Sequence, residues 1–387
     1  MSVTAAKGFS ASGVTTGMRT SGKDLAIVRS TVPSVGAAMF TANRLKAAPV
    51  VVSARHLAQA SPQAVVVNSG SANAATGVRG ELDAIATAAE AARLMDVATE
   101  QVLVMSTGVI GVRLPLEKLL AGLRVAADGL SESGGDDAAV AILTTDTAPK
   151  QAAVTRDGFT VGGMAKGAGM IHPVLATMLV VLTTDYPLTQ DEASAFLRPA
   201  VEESFNRISI DGDCSTNDAV ALLANGTSGV VRSAATDASF AAALREVCGD
   251  LAKQIVADGE GVTVVLEIQV SGAASDAEAT AIARRIATSP LVKTAAFGRD
   301  PNWGRVLAAA GSAAHNGGFA ALDPTLASLS FNGTPVYVDG APVEAAPDLS
   351  GAACRIDLEL RLGEGRAAYL SSDLTYDYVR INAEYTT

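Results

Sequence analysis

The chain has 387 residues, of which 49% are hydrophobic and 18% charged, and its formal net charge is -11. A chain of this length can bury a large core and is expected to form two domains or one large one. Its acidity argues against a general nucleic-acid binder, because contacts to phosphates require clustered lysine and arginine side chains.

Cysteine usage and apolar runs indicate where the protein works. The three cysteines are too few and too widely spaced for a disulfide framework or a zinc site. The N-terminal stretch lacks the apolar core of a signal peptide, and the run MLVVL (178–182) is too short to span a membrane. We therefore expect a cytoplasmic protein with no bound metal and no nucleic-acid or membrane partner.

Strand-like and helix-like segments are mixed in the first half of the chain. QAVVVNSG (63–70) and QVLVMS (101–106) predict buried strands that end in polar turns. PLEKLLAGLRVAADGL (115–130) predicts a helix with proline at its start and glycine near its end. GELDAIATAAEAARLM (80–95) predicts an amphipathic helix with its apolar side formed by Leu82, Ile85, Ala89 and Leu94.

Helix start signals recur in the second half. Thr189 and Glu192 have the spacing of a capping box, in which each side chain satisfies the other's free backbone amide. Ser275 and Glu278 repeat this pattern. The segment between them, DASFAAALREVCGDLAKQIVADGEG (237–261), predicts a long helix that stops at glycine.

The C-terminal part of the chain has a different pattern. ASLSFNGTPVYVDG (327–340) and CRIDLELRLGEGRAAYLSSDLTYDYVRIN (354–382) alternate apolar and polar residues around glycine turns. This alternation predicts antiparallel strands. We therefore expect a smaller C-terminal lobe that begins near residue 290.

The central stretch AKGAGMIHPVLATMLVVLTTD (165–185) contains Thr177 directly before an apolar run. The position of a threonine there suggests either a strand residue or a nucleophile. A threonine becomes a good nucleophile at the start of a chain, because its own α-amino group can act as the base. That amine has a reference pKa of about 8, against about 10.4 for lysine, so more of it is neutral near pH 7. Such a threonine would require cleavage of the Ala176–Thr177 bond. On this segment alone, an ordinary β-branched strand residue is the simpler interpretation.

Other polar residues are individually ambiguous. Lys166 follows Ala165 rather than the glycine that a P-loop requires, so a solvated lysine is the default interpretation. His56, His172 and His315 are scattered and suggest neither a metal cluster nor a serine–histidine–aspartate triad. The loop STGVIG (106–111) could supply donors to an oxyanion, but it also fits a plain strand-to-loop turn.

Taken together, the segments resemble the ornithine acetyltransferase (glutamate N-acetyltransferase) family of arginine biosynthesis. MAKGAGMIHPVLATMLV resembles the self-cleavage segment of that family, and MSTGVIG resembles its oxyanion loop. Further blocks follow in the family's order, from about residue 65 to the last residue: ILTTDTAPK, SIDGDCSTNDA, ADGEGVT, VKTAAFGRDPNWGR and YVRINAEYTT.

The resemblance implies an α/β fold with β-sheets layered between helices, N-terminal-nucleophile-like, with a smaller C-terminal α/β lobe. It implies self-cleavage between Ala176 and Thr177 into fragments 1–176 and 177–387. Two copies of each fragment would form a heterotetramer.

The resemblance also implies the reaction and its residues. Thr177 would carry the acetyl group from N2-acetylornithine to glutamate in a ping-pong mechanism, and Thr107 and Gly108 would stabilise the oxyanion. No cofactor is implied, and use of acetyl-CoA as a co-substrate stays open. The implied substrate contacts are Thr144, Lys166, Thr177, Glu260, Asn382 and Thr387. We assign the substrate carboxylate to Lys166 and the ornithine ammonium to Glu260 as hypotheses.

Two departures from the family pattern stand near these residues. Val174 and Leu175 replace the Asn-Met pair that commonly precedes the cleavage site, and Val264 replaces a common lysine. The alternatives are a self-processing aminopeptidase or amidase of related fold, a paralogue in secondary metabolism and an uncut binding protein. Acetyl transfer from N-acetylornithine to glutamate discriminates the first of these.

Overall fold

A computed structural model describes residues 2–172 and 178–384 of the chain. It divides into two compact units. Unit 1 comprises Met1–Asn206 and Asp213–Ile255, and unit 2 comprises Arg207–Gly212 and Val256–Tyr385. Unit 2 therefore begins earlier than the lobe expected from about residue 290, because a strand and a helix that precede residue 290 belong to its sheet and its core.

The strands and helices of the first 257 residues belong mainly to unit 1. The strands are β1 (Phe9–Val14), β2 (Leu25–Ser30), β3 (Val35–Phe40), β4 (Ala64–Ser71), β5 (Val102–Val109), β6 (Lys150–Arg156), β7 (Phe159–Lys166), β8 (Leu179–Thr184), β9 (Ile208–Ser209, in unit 2) and β10 (Ala219–Ala224). The helices are α1 (Ala48–Leu57), α2 (Gly77–Met95), α3 (Leu116–Asp128), α4 (Gly135–Ala141), α5 (Gln190–Glu202) and α6 (Ala234–Ala257), with 3₁₀ turns at Thr99–Gln101 and Phe205–Arg207.

Two sheets pack face to face in unit 1. One has the strand order β1-β2-β4-β5 and the other β3-β10-β8-β7-β6. Side chains alternate along a strand, so Val65 and Val67 of β4 face the core between the sheets, whereas Val66 faces the opposite side, towards α2 and α3. The second sheet is covered on its outer side by α6, which approaches so closely that a Cβ at Gly163 would lie 3.0 Å from Leu251 Cδ1. The expected α/β class, with sheets layered between helices, is confirmed.

The elements of unit 2 follow α6. The strands are β11 (Val265–Ala273), β12 (Ala314–His315), β13 (Gly318–Phe319), β14 (Ser328–Phe331), β15 (Thr334–Val338), β16 (Ala341–Pro342), β17 (Ala353–Glu359) and β18 (Gly365–Ser372). The helices are α7 (Asp276–Ala287), α8 (Pro290–Phe297), α9 (Trp303–Gly311) and α10 (Tyr376–Glu384).

A single large sheet organises unit 2, with the strand order β16-β15-β14-β17-β11-β18-β9. Alternate residues of β11, namely Leu266, Ile268 and Val270, face a core shared with α7 and α9. The predicted antiparallel pairing is confirmed for β14 with β15 and β17 and for β18 with β11, whereas β17 also pairs with β11 in parallel.

Several predicted elements are confirmed and others need correction. The capping box is confirmed, since Glu192 N donates to Thr189 Oγ1 at 3.4 Å and Thr189 N donates to Glu192 Oε2 at 2.8 Å. Ser275 caps Glu278 N at 3.2 Å, but the Glu278 carboxylate accepts from Ala321 N instead of closing the second box.

The apolar side predicted for α2 is only partly confirmed, since Ile85 and Leu94 pack against the core but Leu82 does not. Its buried face is a stripe of small residues that includes Ala84, Ala88 and Ala91, whereas Leu82 is 53% exposed. Hydrophobic size pointed to the leucines, but close approach to the neighbouring layers requires the alanines.

The end of the predicted strand region is also wrong, because Tyr376–Glu384 forms helix α10. The Thr375 hydroxyl accepts a hydrogen bond from Tyr378 N at 3.1 Å, which is the geometry of a helix N-cap. Among residues 2–172 and 178–384, the structure has no helix that is both long and apolar enough to cross a membrane.

Candidate active site

Thr107 and Gly108 lie at the carboxyl end of β5, beside the end of the parallel strand β4. Gly108 has a φ of +131°, and a Cβ there would lie 2.4 Å from the carbonyl carbon of Gly70. Only glycine fits a left-handed backbone position in such close contact with another strand. The backbone where β5 ends at Gly108 is therefore tightly constrained, unlike that of an ordinary strand-to-loop turn.

Buried amides hold the backbone directly before Thr107. Ser106 Oγ donates to Asn68 Oδ1 at 2.6 Å, and Asn217 Nδ2 donates to the Ser106 carbonyl at 2.8 Å. Asn217 Nδ2 also donates to the carbonyl of Ala72 at 2.6 Å. Fully satisfied buried networks of this kind rigidify the backbone they hold. Asn217 lies in the block SIDGDCSTNDA, but the sequence alone assigns it no role.

Lys166, the last residue of β7, reaches this strand end. Its Nζ donates to Thr107 Oγ1 at 3.2 Å, and the two residues are only 4% and 7% exposed. A solvated lysine, the default interpretation, is therefore wrong. The structure brings two predicted site residues into contact although they are far apart in sequence.

Asp146 organises the segments around Lys166. Its Oδ1 accepts from Lys150 Nζ at 2.7 Å and from Gly167 N at 2.6 Å. Its Oδ2 accepts from Thr144 N at 3.0 Å, which places this predicted substrate contact in the same cluster. Sequence reasoning missed Asp146, although the i, i+4 spacing of an aspartate and a lysine in TTDTAPK was visible.

The charges of the lysines dominate the electrostatics of this cluster. Burial raises the pKa of the Asp146 carboxyl, but the charges of Lys166 and Lys150 outweigh burial and lower that pKa to about 2. Asp146 is therefore ionised at neutral pH. Two lysines and one carboxylate leave the cluster with a net positive charge, which suits an anionic group of a substrate.

Asp218 holds the backbone next to the predicted nucleophile. Its Oδ1 accepts from Met178 N at 3.1 Å, and Met178 directly follows Thr177. Burial raises the pKa of the Asp218 carboxyl well above its usual range. Within the described part of the chain, its other oxygen, Oδ2, forms no hydrogen bond. Sequence reasoning gave Asp218 no role either.

A second pair of predicted residues meets inside unit 2. Asn382 Nδ2, on α10, donates to Glu260 Oε2 at 2.7 Å, and Glu260 is 8% exposed. Asn382 Nδ2 also donates to the carbonyl of Tyr378 at 3.1 Å, which fixes the amide to its own helix. Val264, which replaces a family lysine, is buried in the core of unit 2, so Asn382 rather than a cation at 264 is the observed partner of Glu260.

The cleavage site and two predicted contacts lie outside the described residues. These are Ala176, Thr177 and Thr387, together with the departures Val174 and Leu175. Their roles stay predictions. The described site residues form one group in unit 1 (Thr107, Gly108, Thr144 and Lys166) and one pair in unit 2 (Glu260 and Asn382).

Comparison with known proteins identifies the family. The ArgJ family model matches residues 10–387. A protein of Mycolicibacterium paratuberculosis named arginine biosynthesis bifunctional protein ArgJ is 51% identical and covers 100% of this chain and 96% of its own length. The protein of the same name from Streptomyces coelicolor is 47% identical, with 100% of both chains covered. A crystal structure of ornithine acetyltransferase from Mycobacterium tuberculosis, complexed with ornithine, is 46% identical and covers 44% of this chain and 94% of that one, with a TM-score of 0.44. Because the family model and these relatives span almost the whole sequence, the chain belongs to the ArgJ family.

Proposed function

We propose that the chain transfers the acetyl group of N2-acetylornithine to glutamate through an acetyl ester on Thr177. As a member of the ArgJ family, the chain is an acyltransferase of arginine biosynthesis. The observation that carries the proposal is the buried contact between Lys166 Nζ and Thr107 Oγ1, 3.2 Å apart. This contact joins the ammonium of Lys166, which can bind a substrate carboxylate, to the hydroxyl of Thr107, which can donate a hydrogen bond to an oxyanion.

The proposed reaction has two balanced halves. The α-amine of Thr177 takes the proton of the Thr177 hydroxyl, and Oγ attacks the acetyl carbonyl of N-acetylornithine. The C–N bond breaks, ornithine leaves with the proton, and the acetyl group remains on Oγ. The α-amine of glutamate then attacks the ester, which yields N-acetylglutamate and restores the Thr177 hydroxyl. Each half passes through an oxyanion, for which Thr107 and Gly108 are the proposed donors.

The cluster around Lys166 can serve both substrates because each has an α-carboxylate. In the proposal Lys166 binds this carboxylate, and the net positive charge of its cluster with Asp146 and Lys150 supports that role. Glu260 binds the side-chain ammonium of ornithine, and the hydrogen bond from Asn382 at 2.7 Å fixes the orientation of its carboxylate.

The nucleophile of the proposal arises by self-cleavage of the Ala176–Thr177 bond. The anchoring of Met178 N by Asp218 supports it, since it holds the backbone immediately after the cleavage site. We further propose that fragments 1–176 and 177–387 assemble as a heterotetramer with two copies of each in the cytoplasm, and that acetyl-CoA serves as a second acetyl donor.

Intact mass spectrometry of the wild type beside Thr177→Ala tests the proposal. We expect two fragments with a new N-terminus at Thr177 in the wild type and one uncut chain of 39.1 kDa in the variant. Thr280→Ala, a change of a partly exposed threonine on α7, is the matched control and is expected to cleave like the wild type.

A transfer assay on the same samples identifies the acceptor. The wild type is expected to form N-acetylglutamate from N-acetylornithine and glutamate, and the Thr177→Ala variant is not. Release of free acetate instead would assign the chain to the hydrolases. An uncut wild type that still transfers acetyl groups would refute the mechanism.

A further inference from the structure

The buried hydroxyl of Thr107 accepts one hydrogen bond, but its own proton is donated to no residue in the described part of the chain. A hydroxyl offers one proton and two lone pairs, whereas a lysine ammonium has protons but no acceptor. In the contact at 3.2 Å, Lys166 therefore donates and Thr107 Oγ1 accepts. No acceptor within residues 2–172 and 178–384 takes the Thr107 proton in return. Thr107, a residue that is only 7% exposed, thus retains a hydroxyl proton that no acceptor in the described part of the chain takes.

The surroundings of Lys166 include the carboxylate of Asp146. A neutral amine could accept the Thr107 proton, but an ammonium cannot. The ionised Asp146 interacts electrostatically with Lys166 and accepts a hydrogen bond at 2.6 Å from Gly167 N, the next residue along the backbone. An adjacent carboxylate favours the charged form of lysine. Asp146 therefore places a negative charge near the Lys166 ammonium and holds the backbone next to it.

We infer that Lys166 is a positioning residue for the oxyanion site: by donating to Thr107 Oγ1, it turns the Thr107 hydroxyl into an obligatory donor. The inference rests on the proposed function for the nucleophile Thr177. It adds to Lys166 a role beyond binding a substrate carboxylate. A donor oriented before the reaction stabilises the transition state without reorganisation at the moment of attack. A methyl group on Cβ further restricts the rotation of Thr107.

An acyl donor without a carboxylate or an ammonium separates this role from substrate binding. With p-nitrophenyl acetate, Thr177 Oγ attacks the acetyl carbon, the bond to the phenolate oxygen breaks, and the hydroxyl proton passes to the α-amine. The burst of p-nitrophenolate, counted per Thr177 N-terminus, reports acylation. If Lys166 only binds carboxylates, Lys166→Met leaves the burst rate unchanged. If it positions Thr107, the burst slows by about 100-fold, the usual effect of losing one oxyanion donor.

A double-mutant cycle tests whether Lys166 acts through Thr107. Thr107→Val keeps the side-chain shape and removes the hydroxyl, so it is expected to slow the burst by about 100-fold as well. Adding Lys166→Met to Thr107→Val should then change the rate by less than about 3-fold, because the hydroxyl to be oriented is absent. Lys166→Arg keeps a donor without an acceptor and should retain most of the burst rate. Fully multiplicative effects of the two changes, or an unchanged burst in Lys166→Met, would overturn the inference.

Two further measurements keep the test decisive. If Lys166→Met folds, by circular dichroism, but cleaves too slowly to supply free Thr177 N-termini, the rate of self-cleavage replaces the burst, since that step also passes through an oxyanion, on the Ala176 carbonyl. The same non-multiplicative pattern is expected. A wild type that shows the burst but transfers nothing to glutamate would refute the proposed function while leaving the cycle interpretable. A wild type without any Thr177-dependent burst would overturn both.

Discussion

The pair formed by Asp146 and Lys150 offers a quantitative test of how the cationic cluster is held. The two side chains are 0% and 2% exposed, and the distance between Lys150 Nζ and Asp146 Oδ1 is 2.7 Å. Asp146→Asn removes the carboxylate but keeps the size of the side chain. Breaking a buried ion pair from one side usually costs about 3–5 kcal/mol, because the other charge loses its partner.

The pKa of Asp146 gives a second estimate. Its lowering from 3.8 to about 2 corresponds to roughly 2 kcal/mol of stability that the ionised form contributes. Because this pKa is depressed on folding, the contribution is present above about pH 4 and is lost as the pH falls through about 2. We therefore expect Asp146→Asn to lower the free energy of unfolding of unit 1 by about 2–5 kcal/mol at pH 7.

Urea unfolding in the Thr177→Ala background, where we expect a single uncut chain, is the assay. Lys150→Met added to Asp146→Asn should recover part of the loss, because it removes the buried charge. Glu81→Gln is the matched control: it breaks the pair of Arg55 and Glu81, whose side chains are 48% and 41% exposed, and should cost less than about 1 kcal/mol. If Asp146→Asn were as mild as this control, the structural role given to Asp146 would be refuted.

Two further predictions concern Asp218 and Asn382. Burial raises the pKa of Asp218 in the folded protein, so the folded state holds this proton more tightly and its stability should decline as the pH rises above the unfolded value of about 4. Asp218→Asn should remove this slope in unfolding measurements from pH 4 to 8, and an unaltered slope would contradict the assignment. Asn382→Ala removes the donor at 2.7 Å from Glu260 and should raise the KM for N-acetylornithine by about 10-fold with little change in kcat, the effect of losing one charge-assisted hydrogen bond in binding. Arg380→Ala, on the same helix but 58% exposed, is its control and should leave KM unchanged.

Local chemistry explains which elements the sequence predicts. The capping box of Thr189 and Glu192 involves residues three positions apart, so its two hydrogen bonds depend on little beyond the segment itself. The apolar run of β4 likewise identifies a buried strand. The length of α6 follows from a continuous helical pattern and the glycine just beyond its end. Each of these features is decided within one or two turns of chain.

Tertiary contacts decide what the sequence leaves open. Hydrophobic periodicity favoured Leu82 over the alanines of α2 as a buried residue. Periodicity reflects the hydrophobicity of the side chains and not the space available between the packed layers. Asp146 and Asp218 lie in the blocks ILTTDTAPK and SIDGDCSTNDA, but their contacts with Gly167 N and Met178 N join segments that are distant in sequence. For Lys166, the contact with Thr107 is 59 positions away, so nothing near either residue distinguishes a buried lysine from a solvated one.

The net charge of the chain is negative, whereas the buried cluster of Lys150, Lys166 and Asp146 is positive. The two charges act over different distances and therefore on different kinds of partner. At physiological ionic strength, exposed charges more than about 8 Å apart are largely screened, so the formal charge of -11 acts mainly on extended polyanions that touch much of the surface. The buried cluster of Lys150, Lys166 and Asp146 is screened much less and acts at contact distance. The two ammonium groups of this cluster exceed its one carboxylate by one positive charge. Composition therefore argues against a polyanion as partner and carries no information on a pocket for a single amino-acid carboxylate.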